Sequence, residues 1–127
     1  MEPSDLRFHK EHEWIRVDGQ EATIGISEFA QDALGDVVFI ELPKVGAIFE
    51  MEQELGEVES TKATSTIYSP VSGKVIRVNQ ELDEHPELMN QEPYGKGWIA
   101  VIELSTPAET DQLMTAEQYE EFLKSQA

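Results

Sequence analysis

Leu55-Gly56-Glu57-Val58-Glu59-Ser60-Thr61-Lys62-Ala63-Thr64-Ser65-Thr66-Ile67-Tyr68 is the stretch on which the fold turns. Leu55 to Val58 and Thr64 to Tyr68 are rich in the β-branched, aliphatic and aromatic residues that strands favour, whereas Glu59-Ser60-Thr61-Lys62-Ala63 between them is mostly small or polar. Two strands joined by so short a segment predict a hairpin with Lys62 at its tip. A tip lysine is ordinarily a solvated turn residue, so its position alone leaves open whether the amine has a task.

Working outward, Trp14-Ile15-Arg16-Val17 alternates apolar and polar, Asp18-Gly19 supplies a turn, and Ala22-Thr23-Ile24-Gly25-Ile26 returns as a second hairpin. Ser27 is placed to cap a short helix near residues 28–34, in which Phe29, Ala30, Ala33 and Leu34 make one apolar face and Gly35 the stop. Val37 to Leu42 is a further strand, ended by Pro43 and Gly46. Downstream, the turn signal Ser69-Pro70-Val71-Ser72 precedes the alternating Gly73-Lys74-Val75-Ile76-Arg77-Val78, and Trp98 to Leu104 supplies a last strand, so the middle of the chain is expected to be nearly all β. An apolar strand, a turn glycine and an acidic return occur both around Val37 to Val58 and around Val75 to Leu104. That echo suggests two similar half-sheets, and the expected class is mainly β: a sandwich of two small antiparallel sheets, or a flattened barrel. In the tail, Thr106-Pro107-Ala108-Glu109 and Thr115-Ala116-Glu117-Gln118 each place a capping residue three positions before Glu or Gln and predict two short C-terminal helices. Leu113, Met114, Tyr119, Phe122 and Leu123 are expected to pack these on the sheet as core contacts.

With 127 residues and 39% apolar content the chain fits one core, a single domain over 1–127 with a β core at roughly 22–104 and a helical tail at 106–125. Nine basic against 26 acidic side chains make the surface negative, which argues against a nucleic-acid partner and suits solubility and docking onto basic protein patches equally well. The absence of cysteine removes disulfides, thiolate metal sites and cysteine nucleophiles, so any sulfur chemistry has to come from a cofactor. The opening MEPSDLRFHK has neither an apolar signal core nor an arginine-rich transit character, which leads us to expect a cytoplasmic protein, or one of the mitochondrial matrix if a presequence has been removed. Apolar runs such as Val37 to Ile40 are too short to span a membrane. No low-complexity linker tethers the domain, so we expect a monomer that diffuses to its partners. His9, His12 and His85 lack metal-site spacing, no phosphate loop or nucleophile elbow is readable, and pairs such as Asp83-Glu84 and Glu120-Glu121 follow from the excess of carboxylates. A non-catalytic protein is expected.

Gly46 stands sixteen residues before Lys62 and Gly73 eleven after it, a pairing that resembles the signature of lipoyl and biotinyl carrier domains. Glycines there are expected to take positive φ in tight turns, and the small Ser60 and Ala63 to leave the amine open to a modifying enzyme. Biotin acceptors typically carry methionine on both sides of the lysine, and Thr61 and Ala63 flank it here. Over nearly its whole length the chain resembles the H-protein family of the glycine cleavage system. His9-Lys10-Glu11-His12-Glu13-Trp14 resembles the family's HEW start, and Thr23-Ile24-Gly25-Ile26-Ser27 with Ala30-Gln31 and Leu34-Gly35-Asp36 its GIT...AQ...LGD stretch. Glu57-Val58-Glu59-Ser60-Thr61-Lys62-Ala63 resembles the lipoylation motif, Ser69 to Gly73 the turn after it, and Asn90-Gln91-Glu92-Pro93-Tyr94-Gly95-Lys96-Gly97-Trp98 the N..PYG.GW segment. Thr61 replaces a common valine and keeps its β-branched shape, and Phe29, where histidine is frequent, is expected to bury more surface.

The resemblance implies a lipoyl-domain-like hybrid barrel-sandwich with lipoic acid in amide linkage to Lys62, Glu59, Ser60 and Ala63 as the motif around it, and Gly46 and Gly73 as scaffold. It implies a carrier that takes an aminomethyl group from a pyridoxal-phosphate-dependent glycine decarboxylase to a folate-dependent aminomethyltransferase. A dihydrolipoyl dehydrogenase would reoxidise it, and a lipoate-attaching enzyme would load it. It also implies a cleft for the arm with Glu13 as acceptor of the carried amine, beside which stands the reading of Glu13 as an ordinary strand-edge carboxylate. A lipoyl relay or storage protein for other complexes, and an unmodified acidic β-sandwich interaction module, are the alternatives.

Overall fold

A computed structural model of the chain describes residues 5–126, so residues 1–4 and 127 of the expected 1–127 domain lie outside the described residues. The chain opens with β1 (Arg7–Phe8) and the hairpin of β2 (Glu13–Asp18) and β3 (Glu21–Ile26), paired from Glu13↔Ile26 to Asp18↔Glu21. Helix α1 (Glu28–Leu34) starts where Ala30 N donates to Ser27 Oγ at 3.1 Å and stops at Gly35, whose φ of 80° few other residues adopt. Then come β4 (Val37–Glu41), the short β5 (Ile48–Phe49), the lysine hairpin of β6 (Glu54–Ser60) and β7 (Thr64–Tyr68), and β8 (Gly73–Val78). Single turns α2 (Glu81–Glu84) and α3 (Leu88–Gln91) lead to β9 (Ala100–Leu104), a 3-10 segment at Pro107–Gln112, β10 (Met114–Thr115) and α4 (Ala116–Gln126).

The strands form two antiparallel sheets, as expected, but they are unequal: β10-β1-β2-β3-β9-β8-β5 on one side and β4-β6-β7 on the other. The internal echo does not translate into two similar half-sheets, because β1 and β10 come from outside the 22–104 span and extend one sheet only. Both sheets keep free edges, so the arrangement is a sandwich and not a closed barrel. Ile15, Ile24 and Ile102 of the large sheet meet Ile40, Val58 and Ile67 of the small one in a core where none is more than 2% exposed. A second cluster closes the far end, where Phe8 stacks on Tyr119 of α4 at 4.3 Å and Trp14 is fully buried with Nε1 donating to Pro93 O at 2.9 Å.

Three sequence expectations need correction here. The middle of the chain is less β than the alternation suggests: α2 and α3 occupy part of it, and the last strand begins at Ala100, because Trp98 N is already committed to the Gly95 carbonyl in a turn. Of the two expected tail helices only α4 is an α-helix, opened by the reciprocal bonds Gln118 N to Thr115 Oγ1 and Thr115 N to Gln118 Oε1. At the other site Thr106 makes no side-chain cap, and Glu109 reaches Ser72 N and Oγ at 2.7 and 2.8 Å, so Pro107–Gln112 stays 3-10. Finally, Gly46 has the expected positive φ of 96°, but Gly73 does not share it. Gly73 lies within β8 opposite Leu104, and a Cβ there would run into the Glu103 carbonyl and the Ile102 side chain.

Backbone in the way is costlier than an unusual φ with open space around it. Gly73→Ala is therefore expected to destabilise by about 1–3 kcal/mol. Gly46→Asn, with nothing within 4 Å of the new Cβ and a side chain that tolerates positive φ, is expected to cost less. Urea-unfolding midpoints of the two variants check that order.

Candidate functional site

The lysine turn is built from one hydroxyl outward. Ser60, 8% exposed, receives Lys62 N at 3.2 Å and Ala63 N at 3.1 Å on its Oγ and donates its own hydrogen to Ala63 O at 3.1 Å, while Ser60 N donates to the same carbonyl at 2.8 Å. Ser60 is thus the buried clamp of the turn and not merely a small neighbour; Glu59, Thr61, Lys62 and Ala63 are exposed around it. Thr61 N donates to Asp36 O at 3.0 Å, and the lysine stem lies over the α1–β4 junction, where a Cβ on Gly35 would sit 3.1 Å from Lys62 Cε. That junction is held in turn by Asn90 of α3, whose Oδ1 accepts from Val37 N at 2.8 Å and whose Nδ2 donates to Gly35 O at 2.8 Å and to Gln31 Oε1 at 3.0 Å. Among the described residues no carboxylate forms an ion pair with the Lys62 amine.

Beside the turn runs a groove of about 280 Å³ with walls that include Ala30 and Leu34 of α1, Ile26, and Val58, Ala63 and Ile67 of the hairpin. Glu11, His12 and Glu13 also line it. Glu13 is 2% exposed and lies on β2 between β1 and β3, so it is not an edge carboxylate. Its Oε2 accepts from Tyr68 N at 3.1 Å, whereas Oε1 makes no hydrogen bond and faces His9 Nδ1 at 3.1 Å. Burial pushes the Glu13 carboxyl above its ordinary pKa, against the opposing pull of His9 and the Tyr68 N–H. Burial also pulls His9 down, but the carboxylates of Glu13 and Glu52, the latter 3.2 Å from Nε2, outweigh it and hold the imidazole above its ordinary value. His12, at φ 76°, lies with Nδ1 2.7 Å from the Tyr119 hydroxyl, which is also 2.7 Å from Ser27 Oγ; burial lowers its pKa. Phe29 does not bury its ring as expected: it is 41% exposed and lies against His12 at 4.7 Å between centroids.

Of the expected site residues, Ala63 and Glu13 line the groove; Lys62 and Ser60 stand in the turn that Ala63 closes, and Glu59, Gly46 and Gly73 are not in the lining. Three residues do more than their sequence context shows. Asn90 stood only inside a quoted segment, Tyr119 only as a core contact, and His9 only as a solvated or locally bonded histidine, although it is 4% exposed. His85 is exposed beside Glu87, and no cluster of potential metal ligands occurs among the described residues. No helix among them is long and apolar enough to cross a membrane.

Comparison with known proteins gives one consistent result. The family model described as "Glycine cleavage H-protein" matches residues 6–126. The chain is 55% identical to a glycine cleavage system H protein of Symbiobacterium thermophilum over 96% of its own length and 95% of that protein's. It is 52% identical to one from Bacillus subtilis, over 94% of each. The crystal structure of a glycine cleavage system H protein from Mycobacterium marinum superposes with a TM-score of 0.87 at 34% identity, covering 94% of this chain and 97% of that one.

Truncating Asn90 to alanine strands the Val37 N–H and the Gly35 carbonyl behind the lysine turn, and an unpartnered buried group costs about 1–3 kcal/mol. Asn90→Ala is expected to lower stability by about that much and to speed amide hydrogen exchange at Val37 and Thr61; unaltered exchange there would show that Asn90 does not hold the turn.

Proposed function

The chain belongs to the glycine cleavage H-protein family, and from that premise we propose that Lys62 is the lipoyl attachment site of a single carrier domain. One observation carries this reading: an exposed amine that no carboxylate among the described residues claims stands on a turn clamped by Ser60, next to an apolar groove lined by a buried carboxylate. These residues fit a lipoyl group. An amide linkage needs a reachable amine, a long apolar tether needs apolar walls, and a cationic amine at its far end needs an acceptor.

A lipoyl group bound there supplies the dithiolane that a cysteine-free chain lacks, able to take up an aminomethyl group and to be reoxidised after giving it away. The chain's own residues present, orient and shelter. Ser60 and Asp36 fix the direction in which the Lys62 stem leaves the surface, so partners meet the arm in one place. Ala30, Leu34, Val58 and Ile67 exclude water from the groove, and Glu13 accepts the ammonium hydrogens of the cargo there. The hard chemistry lies with the partners: a lipoate-attaching enzyme, a glycine decarboxylase, an aminomethyltransferase and a dihydrolipoyl dehydrogenase. The acidic surface, with net charge −17, suits steered docking onto basic patches of such enzymes. On this reading the chain is a carrier and not a catalyst.

Intact mass tests the attachment. In a lipoate-supplied host the parent is expected to gain the lipoyl increment and Lys62→Arg none; a biotinyl increment, or none on the parent, would remove the lipoyl reading. A lipoylated chain that no glycine decarboxylase can aminomethylate would leave it a lipoyl carrier of another system.

The acceptor is tested separately. A hydrogen bond to a charged group is worth about 1.5–3 kcal/mol, so Glu13→Ala is expected to release the carried aminomethyl group roughly 10- to 100-fold faster than the parent. An unchanged release rate takes Glu13 out of the account.

A further inference from the structure

The Glu13 carboxyl does not stand alone in its pocket. Its Oε1 lies 3.1 Å from His9 Nδ1, the two residues are 2% and 4% exposed, and the other ring nitrogen lies 3.2 Å from Glu52 Oε2. A neutral imidazole has a single N–H. With that hydrogen on Nε2 and directed at Glu52, Nδ1 carries a lone pair, which accepts from Glu11 N at 3.2 Å and repels an ionised Glu13. With the hydrogen on Nδ1 instead, it reaches Glu13 but leaves the Nε2 lone pair facing Glu52. One added proton relieves both carboxylate contacts in two ways: a doubly protonated His9 against ionised Glu13, or a protonated Glu13 donating to Nδ1 with Nε2–H on Glu52. In both, one proton belongs to the pair, and the pair is neutral as a whole.

A cationic amine changes the balance. Added to the pair as it stands, it buries one uncompensated positive charge. If the shared proton leaves, Glu13 pairs with the ammonium, while His9 turns neutral with Nε2–H on Glu52 and Nδ1 accepting from Glu11 N, so every group is satisfied. The other titratable groups facing the pair are few. Lys10 and Glu11 lie in the same turn, and Lys10 Nζ is 3.7 Å from Glu52 Oε2. His12 follows them, Glu52 comes from the β5–β6 turn, and Tyr68 of β7 contributes a backbone N–H to Glu13 and lines the small cavity beside His9. Phe8, Leu113 and Phe122 in the adjoining cavity bring no charge.

We propose that His9 is a positioning residue for the carried amine: it faces the one Glu13 oxygen that lacks a hydrogen-bond donor and keeps one proton on the pair until the amine docks, and docking expels that proton. This rests on the docking role given to Glu13 above. Burial pushing Glu13 up, and two carboxylates holding His9 above its ordinary range, agree with a proton retained near neutral pH. The sign follows: while the pair holds its proton, raising the pH strengthens retention of the cargo, by up to about tenfold per pH unit for one proton exchanged.

Histidine imidazole NMR on the lipoylated chain, with and without its aminomethyl cargo, reads this directly. The His9 titration midpoint is expected to fall by about one pH unit or more on loading. Equal His9 midpoints in the two forms overturn the inference. His9→Gln, which cannot titrate, is expected to abolish the pH dependence of cargo release seen for the parent between about pH 6 and 8; a pH dependence kept in full also overturns it. Release from Glu13→Gln separates the two levels: release no faster than the parent's removes the docking role itself, whereas faster release with equal His9 midpoints leaves docking standing and removes only the proton exchange.

Discussion

The Ser60 hydroxyl governs the rest of this molecule. By taking the N–H groups of Lys62 and Ala63 and giving its hydrogen to Ala63 O, it leaves the four-residue turn almost no backbone freedom. An amine on such a turn is free only in its own four methylenes, so the search for an enzyme's active site is confined to the arm. The price is that the turn must itself be held. Asp36 receives Thr61 N, Gly35 makes room for the lysine stem, and Asn90 holds Gly35 and Val37 on either side of Asp36. The small sheet carries the lysine hairpin and the large sheet carries Glu13, so the sandwich core that joins them also sets the distance between the two residues.

Legibility in the sequence followed the range of the interactions. The two hairpins, the Ser27 cap, the Gly35 stop and the Thr115–Gln118 box depend on residues within a few positions of one another, and each appears where its pattern stands. Lys62 at a tip is local information of the same kind. What stayed hidden is set by distant partners. Glu109 forsakes its helix for Ser72, 37 residues away, and the β1–β10 pairing joins Arg7 to Thr115. Gly73 reads as a turn residue until β9 is seen to press on it. His9 and Glu13 lie four apart, a spacing that reads as one face of a helix, yet they meet across the turn between β1 and β2, and Tyr119 meets His12 across 107 positions. The motif resemblance implied an acceptor role for Glu13 and named the segment containing Asn90, but neither the His9 contact of the one nor the bonds of the other can be read from it.

Charge divides the molecule in the same way. Most of the 26 acidic side chains are solvated and set only the long-range field, whereas buried Glu13 faces another side chain across 3.1 Å in a poorly polarisable interior. A surface carboxylate can be exchanged with little consequence. The groove carboxylate cannot, because both its neighbours and its protonation depend on it.

The seven-stranded sheet ends on both sides in two-residue strands, Ile48–Phe49 and Met114–Thr115. Strands that short offer too few unpaired backbone groups to template another chain, a device by which β-proteins avoid edge-to-edge polymerisation. A carrier component of the glycine cleavage system can then be kept abundant without its large sheet growing into fibres.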